Sequence, residues 1–314
     1  MNSSYAATQI GINRRAAGDN IWLARSGGED QAELEARPLN YEVLESEEAV
    51  GGALFDEIET AAREKDGNLT VVIVGGRGGQ ALHRLLGEKA KTCEIDHLLS
   101  RLNIFTQDAL APMRPGNAFS FVRDFERLLG KAFFAKVRSF TSMQTDAPDL
   151  ERGLNAYLEV LESRSPIDIF FLGLGPEANA ASHLAYITPG SGAAARESAG
   201  LIPISPSILE HHITKFKAGG AKFSEADEAE CRNATHILTL GPAAILSTKR
   251  IVQSIVDADT APGKRAGFQR LIETEISNDA QTRARQLDEN PGLWIRLHRN
   301  VRSLILPNLL TASP

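Results

Sequence analysis

The run Ile167-Asp-Ile-Phe-Phe-Leu172, stopped by Gly173-Leu-Gly175, constrains this chain more than any other stretch. It is too short for a helix and is bounded by glycine, so it reads as a fully buried strand. Gly173 and Gly175 let the backbone turn sharply and come close to whatever lies above the strand end. Glu177, Asn179, Ser182 and His183 follow at once. A strand that breaks into a glycine turn and then polar side chains is the layout of a site in an α/β sheet, where ligands sit beyond the carboxyl ends of the strands. The plainer reading is a strand-to-helix turn with no further duty, and spacing alone does not separate the two.

A second unit of the same kind precedes it. Asn68 to Val74 reads as a buried strand, Gly75-Gly76-Arg77-Gly78-Gly79 as a loop, and the residues from Gln80 as a helix. Strand, glycine loop and helix make an anion cradle: backbone amides point at a phosphate, and Arg77 adds a two-pronged donor. A dinucleotide fingerprint fits only loosely as Gly76-x-Gly78-x-x-Ala81, and a tight turn that merely needs glycine is the bland alternative.

Further strands are expected at Tyr41–Leu44 (an edge), Arg101–Thr106, Ala234–Leu240, Arg250–Val256 and Ser303–Leu306, with helices after Ser46, over Asn117–Leu129 and Leu150–Leu161, after Gly241 and from Arg265. Strands alternating with helices predict an α/β fold, a doubly wound, mostly parallel sheet with right-handed connections. Asp108, at a strand end, is either a general base or pocket hydrogen-bonder, or a solvated turn residue; the residues after it, to Asn117, read as a loop. Lys264, at the mouth of a helix, is placed to meet an anion or else is simply solvated. Residues 187–230 read as loop-rich, with Lys215 to Lys222 at the surface. Adjacent His211 and His212 point different ways and are not read as metal ligands. Residues 1–38 read as an extension, either an arm on a partner subunit or a partly unfolded segment, with a short strand at Ile21–Ala24. Residues 39–314 form the main domain.

A net charge of −6 and a pI near 5.7 argue against nucleic acid as partner. No apolar run approaches a membrane span, and no secretory signal is apparent. Two distant cysteines, Cys93 and Cys231, support neither a disulfide framework nor a cysteine-based metal site. The expectation is a cytoplasmic protein without metal or cofactor and with a small-molecule ligand; a homo-oligomer is compatible with the sequence.

The order of these motifs resembles the superfamily of glucosamine-6-phosphate isomerases/deaminases and 6-phosphogluconolactonases, over roughly Leu39 to Leu306. The family's phosphate loop falls on Gly75–Gly79, its Asp–Glu pair on Gln107-Asp108, and its Leu-Gly-x-Gly-x-Asp-Gly-His signature on Leu172 to Asn179, with Glu177 at the aspartate and Asn179 at the histidine. Its Gly-x-x-Lys ligand looks like Lys264, and its late Leu-Gln-x-His element looks like Ile295 to His298. The resemblance implies an enzyme acting on a phosphorylated sugar or its lactone. Gly75, Gly76, Arg77, Gly78, Gly79 and Lys264 would hold the anion, Gln107, Asn179 and His298 would contact the sugar, and Glu177, Asp108 or His183 would do acid–base work. Gln107 stands where the isomerases carry the aspartate that shuttles the C2 proton, and an amide does not titrate. The catalytic set is therefore altered from the family's. The rival expectation is a catalytically silent sugar-phosphate sensor or scaffold. For His183 itself, packing on the sheet is the plainer role.

Overall fold

The computed structural model describes residues 10–14, 20–25, 33–176, 183–184 and 186–310. Its strands, in chain order, are β1 (Ile10–Arg14), β2 (Ile21–Arg25), β3 (Tyr41–Val43), β4 (Leu69–Ile73), β5 (Leu102–Thr106), β6 (Asp108–Ala111), β7 (Ser139–Thr141), β8 (Ile169–Leu172), β9 (Glu197–Pro203), β10 (His236–Leu240), β11 (Arg250–Ile255) and β12 (Val301–Ile305). The helices are α1 (Glu47–Glu64), α2 (Arg77–Lys89), α3 (Asp96–Leu99), α4 (Phe121–Lys136), α5 (Leu150–Ser163), α6 (Pro206–Ala218), α7 (Glu225–Arg232), α8 (Pro242–Leu246), α9 (Gly263–Glu273) and α10 (Ala280–Glu289).

Seven strands form a parallel sheet in the order β3-β12-β11-β8-β4-β5-β7. Its central strands are apolar on both faces, and alternate residues feed two separate cores. Val71, Ile73, Ile104 and Phe171 pack with Leu54 and Ile58 of α1, Leu82 of α2 and Phe125 of α4. Val72, Phe105, Phe170 and Leu172 pack the other way, with Leu154 and Leu158 of α5. Helix α1 shows how locally the pattern is written. Ser46 caps it by accepting from the Ala49 amide at 3.1 Å, acidic Glu47 and Glu48 sit in the first turn, and Val50, Leu54, Ile58 and Ala61 are its buried stripe.

A second, antiparallel sheet, in the order β1-β2-β9-β10-β6, lies over the core that holds α5. It departs from the sequence expectation at two places. The region read as loop-rich contains β9, α6 and α7. The loop expected after Asp108 begins instead as a strand, because Asp108–Ala111 pairs with His236–Thr239. The short strand expected at Ile21–Ala24 is present as β2 and pairs with β9. There Trp22 is fully buried and its indole Nε1–H donates to the Ser191 carbonyl at 2.9 Å.

Gln107 is the single residue between β5 and β6, and its peptide groups join both sheets. Its N–H donates to the Ile73 carbonyl at 3.1 Å, and its carbonyl accepts from the Leu240 N–H at 2.9 Å. Strand order reverses between β4 and β8, so the loops after these two strands open a crevice at the carboxyl edge.

Candidate active site

That crevice is a cavity of about 210 Å³. Gly75, Gly76, Arg77 and Gly78 after β4, Gly173 to Pro176 after β8, Asp108 of β6, Asp257 after β11, and Lys264 of α9 all line it. The glycine loop turns at Gly76, whose φ of 69° is open to glycine and strained for other residues. Helix α2 starts there with no side-chain cap and no acidic residue in its first turn, so its positive end faces the cavity bare.

The cations form one wall. Lys264 Nζ and Lys215 Nζ each lie 2.6 Å from an oxygen of Asp257, on opposite carboxylate arms. Burial alone would raise the Asp257 carboxyl, but the two ammonium groups outweigh it and hold it well below the usual carboxylate range. Burial lowers the Lys215 ammonium, and Asp257 offsets part of that. Arg77 is oriented by Glu47 of α1, which accepts from its Nε at 2.9 Å and from its Nη2. At another edge Asp124 accepts from Arg127 and from Gln80 Nε2, the latter at 3.1 Å.

The floor is different in character. Asp108 is buried, and desolvation pushes its carboxyl up to about 8, so at neutral pH it is mostly the uncharged acid. Burial pushes His211 and His212, both on the lining, down to about 4, so both are neutral imidazoles. Among the described residues no group of three or more His, Cys, Asp or Glu is arranged to hold a metal ion.

The residues singled out in the sequence therefore separate. Gly75, Gly76, Arg77, Gly78, Asp108 and Lys264 meet in one cavity. Gly79 lies behind it, packed on the Val74 carbonyl. Gln107 is buried at the junction of the sheets and does not line the cavity. His183 is buried beneath the loop after β8 and also lies off the lining. His298 sits before β12, at the amino end of the sheet, where Nε2 lies 2.9 Å from the Thr248 carbonyl and Nδ1 is 3.0 Å from that of Asn300. His298 is not among the residues that line the cavity. Glu177 and Asn179 lie outside the described residues. Sequence reading missed Lys215, His212 and Tyr186. The signal for α6 was present in Ser205-Pro206, a cap followed by proline at the first helical position.

A parallel sheet with a cation-walled crevice at its switch point defines an α/β protein with a cavity suited to a small anionic ligand. The sequence model of a family described as glucosamine-6-phosphate isomerases/6-phosphogluconolactonase matches residues 45–215. The chain belongs to this family. Among solved structures it resembles a monomeric glucosamine-6-phosphate deaminase described as a missing link of the NagB superfamily, with TM-score 0.63 and 18% identity, over 86% of this chain and 98% of that one. It also resembles the 6-phosphogluconolactonase of Thermotoga maritima, with TM-score 0.58 and 16% identity, over 85% of this chain and 99% of that one. For the enzyme of Trypanosoma brucei the TM-score is 0.60 and the identity 15%, over 88% of this chain and 98% of that one. At these identities the likeness is one of fold. A search of curated protein sequences gives no match. No helix among the described residues is long and apolar enough to cross a membrane.

Proposed function

We propose that this chain is an enzyme of phosphorylated sugars, and that hydrolysis of a sugar-phosphate lactone is its reaction. The observation that carries this reading is that one cavity holds both a cationic wall and an uncharged carboxyl. The α2 amino end, Arg77, Lys215 and Lys264 suit a phosphate dianion. Asp108, with a carboxyl at about 8, suits proton transfer near neutrality. In lactone hydrolysis water adds to the carbonyl, the ring C–O bond breaks, and the departing ring oxygen takes a proton. Asp108 supplies that proton. Glu177 is the residue we assign to activate the water, on its place in the family signature. Isomerisation is disfavoured because Gln107, at the position of the proton shuttle, is an amide outside the cavity. In this reading the catalytic set is altered from the family's while the anion site is kept.

Two measurements test it. Purified protein should turn over 6-phosphogluconolactone faster than it converts glucosamine 6-phosphate. Binding without turnover of either would instead make it a silent sugar-phosphate sensor. Lys264→Ala should weaken binding of 6-phosphogluconate at least about tenfold, the scale of a charged hydrogen bond. Unchanged affinity would remove the phosphate anchor.

A further inference from the structure

One aromatic residue on the cavity is held from several sides, and its hydroxyl has a fixed polarity. Gly175 makes room for the first support: a Cβ there would fall 1.5 Å from His183 Cε1, so the imidazole lies directly on the glycine. The His183 ring runs nearly parallel to that of Tyr186, with centroids 6.5 Å apart and planes at 19°. Phe121 packs on Tyr186 as well, at 6.1 Å and 33°. The second glycine of the Leu-Gly-x-Gly stretch thus seats a stack that fixes the Tyr186 ring at the cavity wall.

The hydroxyl is fixed in turn by α6. Tyr186 Oη lies 3.3 Å from His212 Nδ1, and His212 Nε2 lies 2.7 Å from the Phe119 carbonyl oxygen. A carbonyl oxygen only accepts, so Nε2 carries the imidazole proton. Burial keeps the ring neutral, so Nδ1 presents a lone pair. The Tyr186 O–H therefore donates to Nδ1, and its oxygen lone pairs are left to accept from a second partner. Asp108 offers the opposite polarity on the same lining, because its uncharged carboxyl has an O–H to give.

We propose that Tyr186 is the specificity-determining acceptor that reads a hydroxyl of the bound sugar, and that His212 is the positioning residue that sets its polarity. A sugar hydroxyl both donates and accepts, so it suits a wall carrying Tyr186 as acceptor and Asp108 as donor. An inorganic anion at the cationic wall needs neither. The inference rests on the sugar-phosphate reading of the cavity, and the two fail differently.

The test is calorimetric binding of 6-phosphogluconate and of inorganic phosphate to the full chain. Tyr186→Phe should weaken 6-phosphogluconate about tenfold and leave phosphate within about twofold. His212→Gln, which loses the acceptor at Nδ1, should show the same selective loss, and the double variant no more than either alone. His212→Asn, whose amide oxygen takes the Nδ1 position, should restore affinity to within about threefold of the parent. Wild-type affinity in Tyr186→Phe, or equal loss for both ligands, would overturn the role of Tyr186 alone. A parent protein that binds neither ligand would overturn the sugar-phosphate reading and this inference with it.

Discussion

Behind the glycine loop, the His83 imidazole is buried with 1% exposure, and neither ring nitrogen has a hydrogen-bond partner among the described residues. It packs edge-on to Phe125 with centroids 4.9 Å apart. Desolvation, with Arg84 nearby, pushes it down to about 3, so it is neutral in the folded chain and charges only on unfolding. Two unmet polar atoms cost stability that an apolar side chain of similar size would not. His83→Leu should therefore raise the unfolding free energy measured in urea by about 1 kcal/mol at pH 7. The unfolded imidazole takes up a proton below pH 6.5 and the folded one does not, so the gain should grow as the pH is lowered. Equal or lower stability at pH 5 would contradict this. The same scale shows what could be read from sequence. Arg77, Asp108 and Lys264 each follow a strand closely, so strand positions alone bring them to one edge. Lys215 was read as a surface residue because its contact with Asp257 spans 42 residues and depends on where α6 lies.

At the scale of elements, the strand β2 is joined to the fold by its pairing with β9 and by the buried Trp22 and Leu23 side chains. Gly200 of β9 and Gly241 before α8 leave space for the indole: a Cβ at Gly200 would lie 2.7 Å from Trp22 Cε3, and one at Gly241 would lie 3.0 Å from Cζ3. Trp22→Ala should cost about 3–5 kcal/mol in chemical denaturation, the range for a buried aromatic removed from a core. A loss under about 1 kcal/mol would mean that the strand contributes little to the folded state. The central parallel strands β4, β5 and β8 were legible as mostly apolar runs closed by glycine or a polar turn, whereas the short edge strand β7, Ser-Phe-Thr, was not read from the sequence. Strand β9, Glu-Ser-Ala-Gly-Leu-Ile-Pro, was not: it has few β-branched residues and three small ones, and only its pairing with β2 and β10 makes it a strand.

For the whole molecule, the uncharged Asp108 couples folding to pH. Desolvation pushes the folded carboxyl up to about 8, against 3.8 for an ordinary, solvated aspartate in the unfolded chain. Between those values the folded chain holds a proton that the unfolded chain has released, so stability falls as the pH rises. Above about pH 8 the penalty is complete, on the order of 6 kcal/mol at most. Asp108→Asn, which cannot ionise, should match the parent near pH 4 and exceed it in melting temperature at pH 9. Parallel melting curves across that range would show that the carboxyl is not held as the acid. The alternation of strands and helices, the glycine turns at strand ends and the resemblance in motif order were all visible in the sequence. The antiparallel layer was not, since two of its pairings, β6 with β10 and β2 with β9, join segments more than 100 residues apart.

The peptide of Gln107 has a mechanical consequence. With its N–H on one sheet and its carbonyl on the other, it acts as a rivet through a crease. The two layers cannot slide past each other without breaking both bonds beside Asp108. The carboxyl beneath the crevice therefore stays in register with the strands on either side.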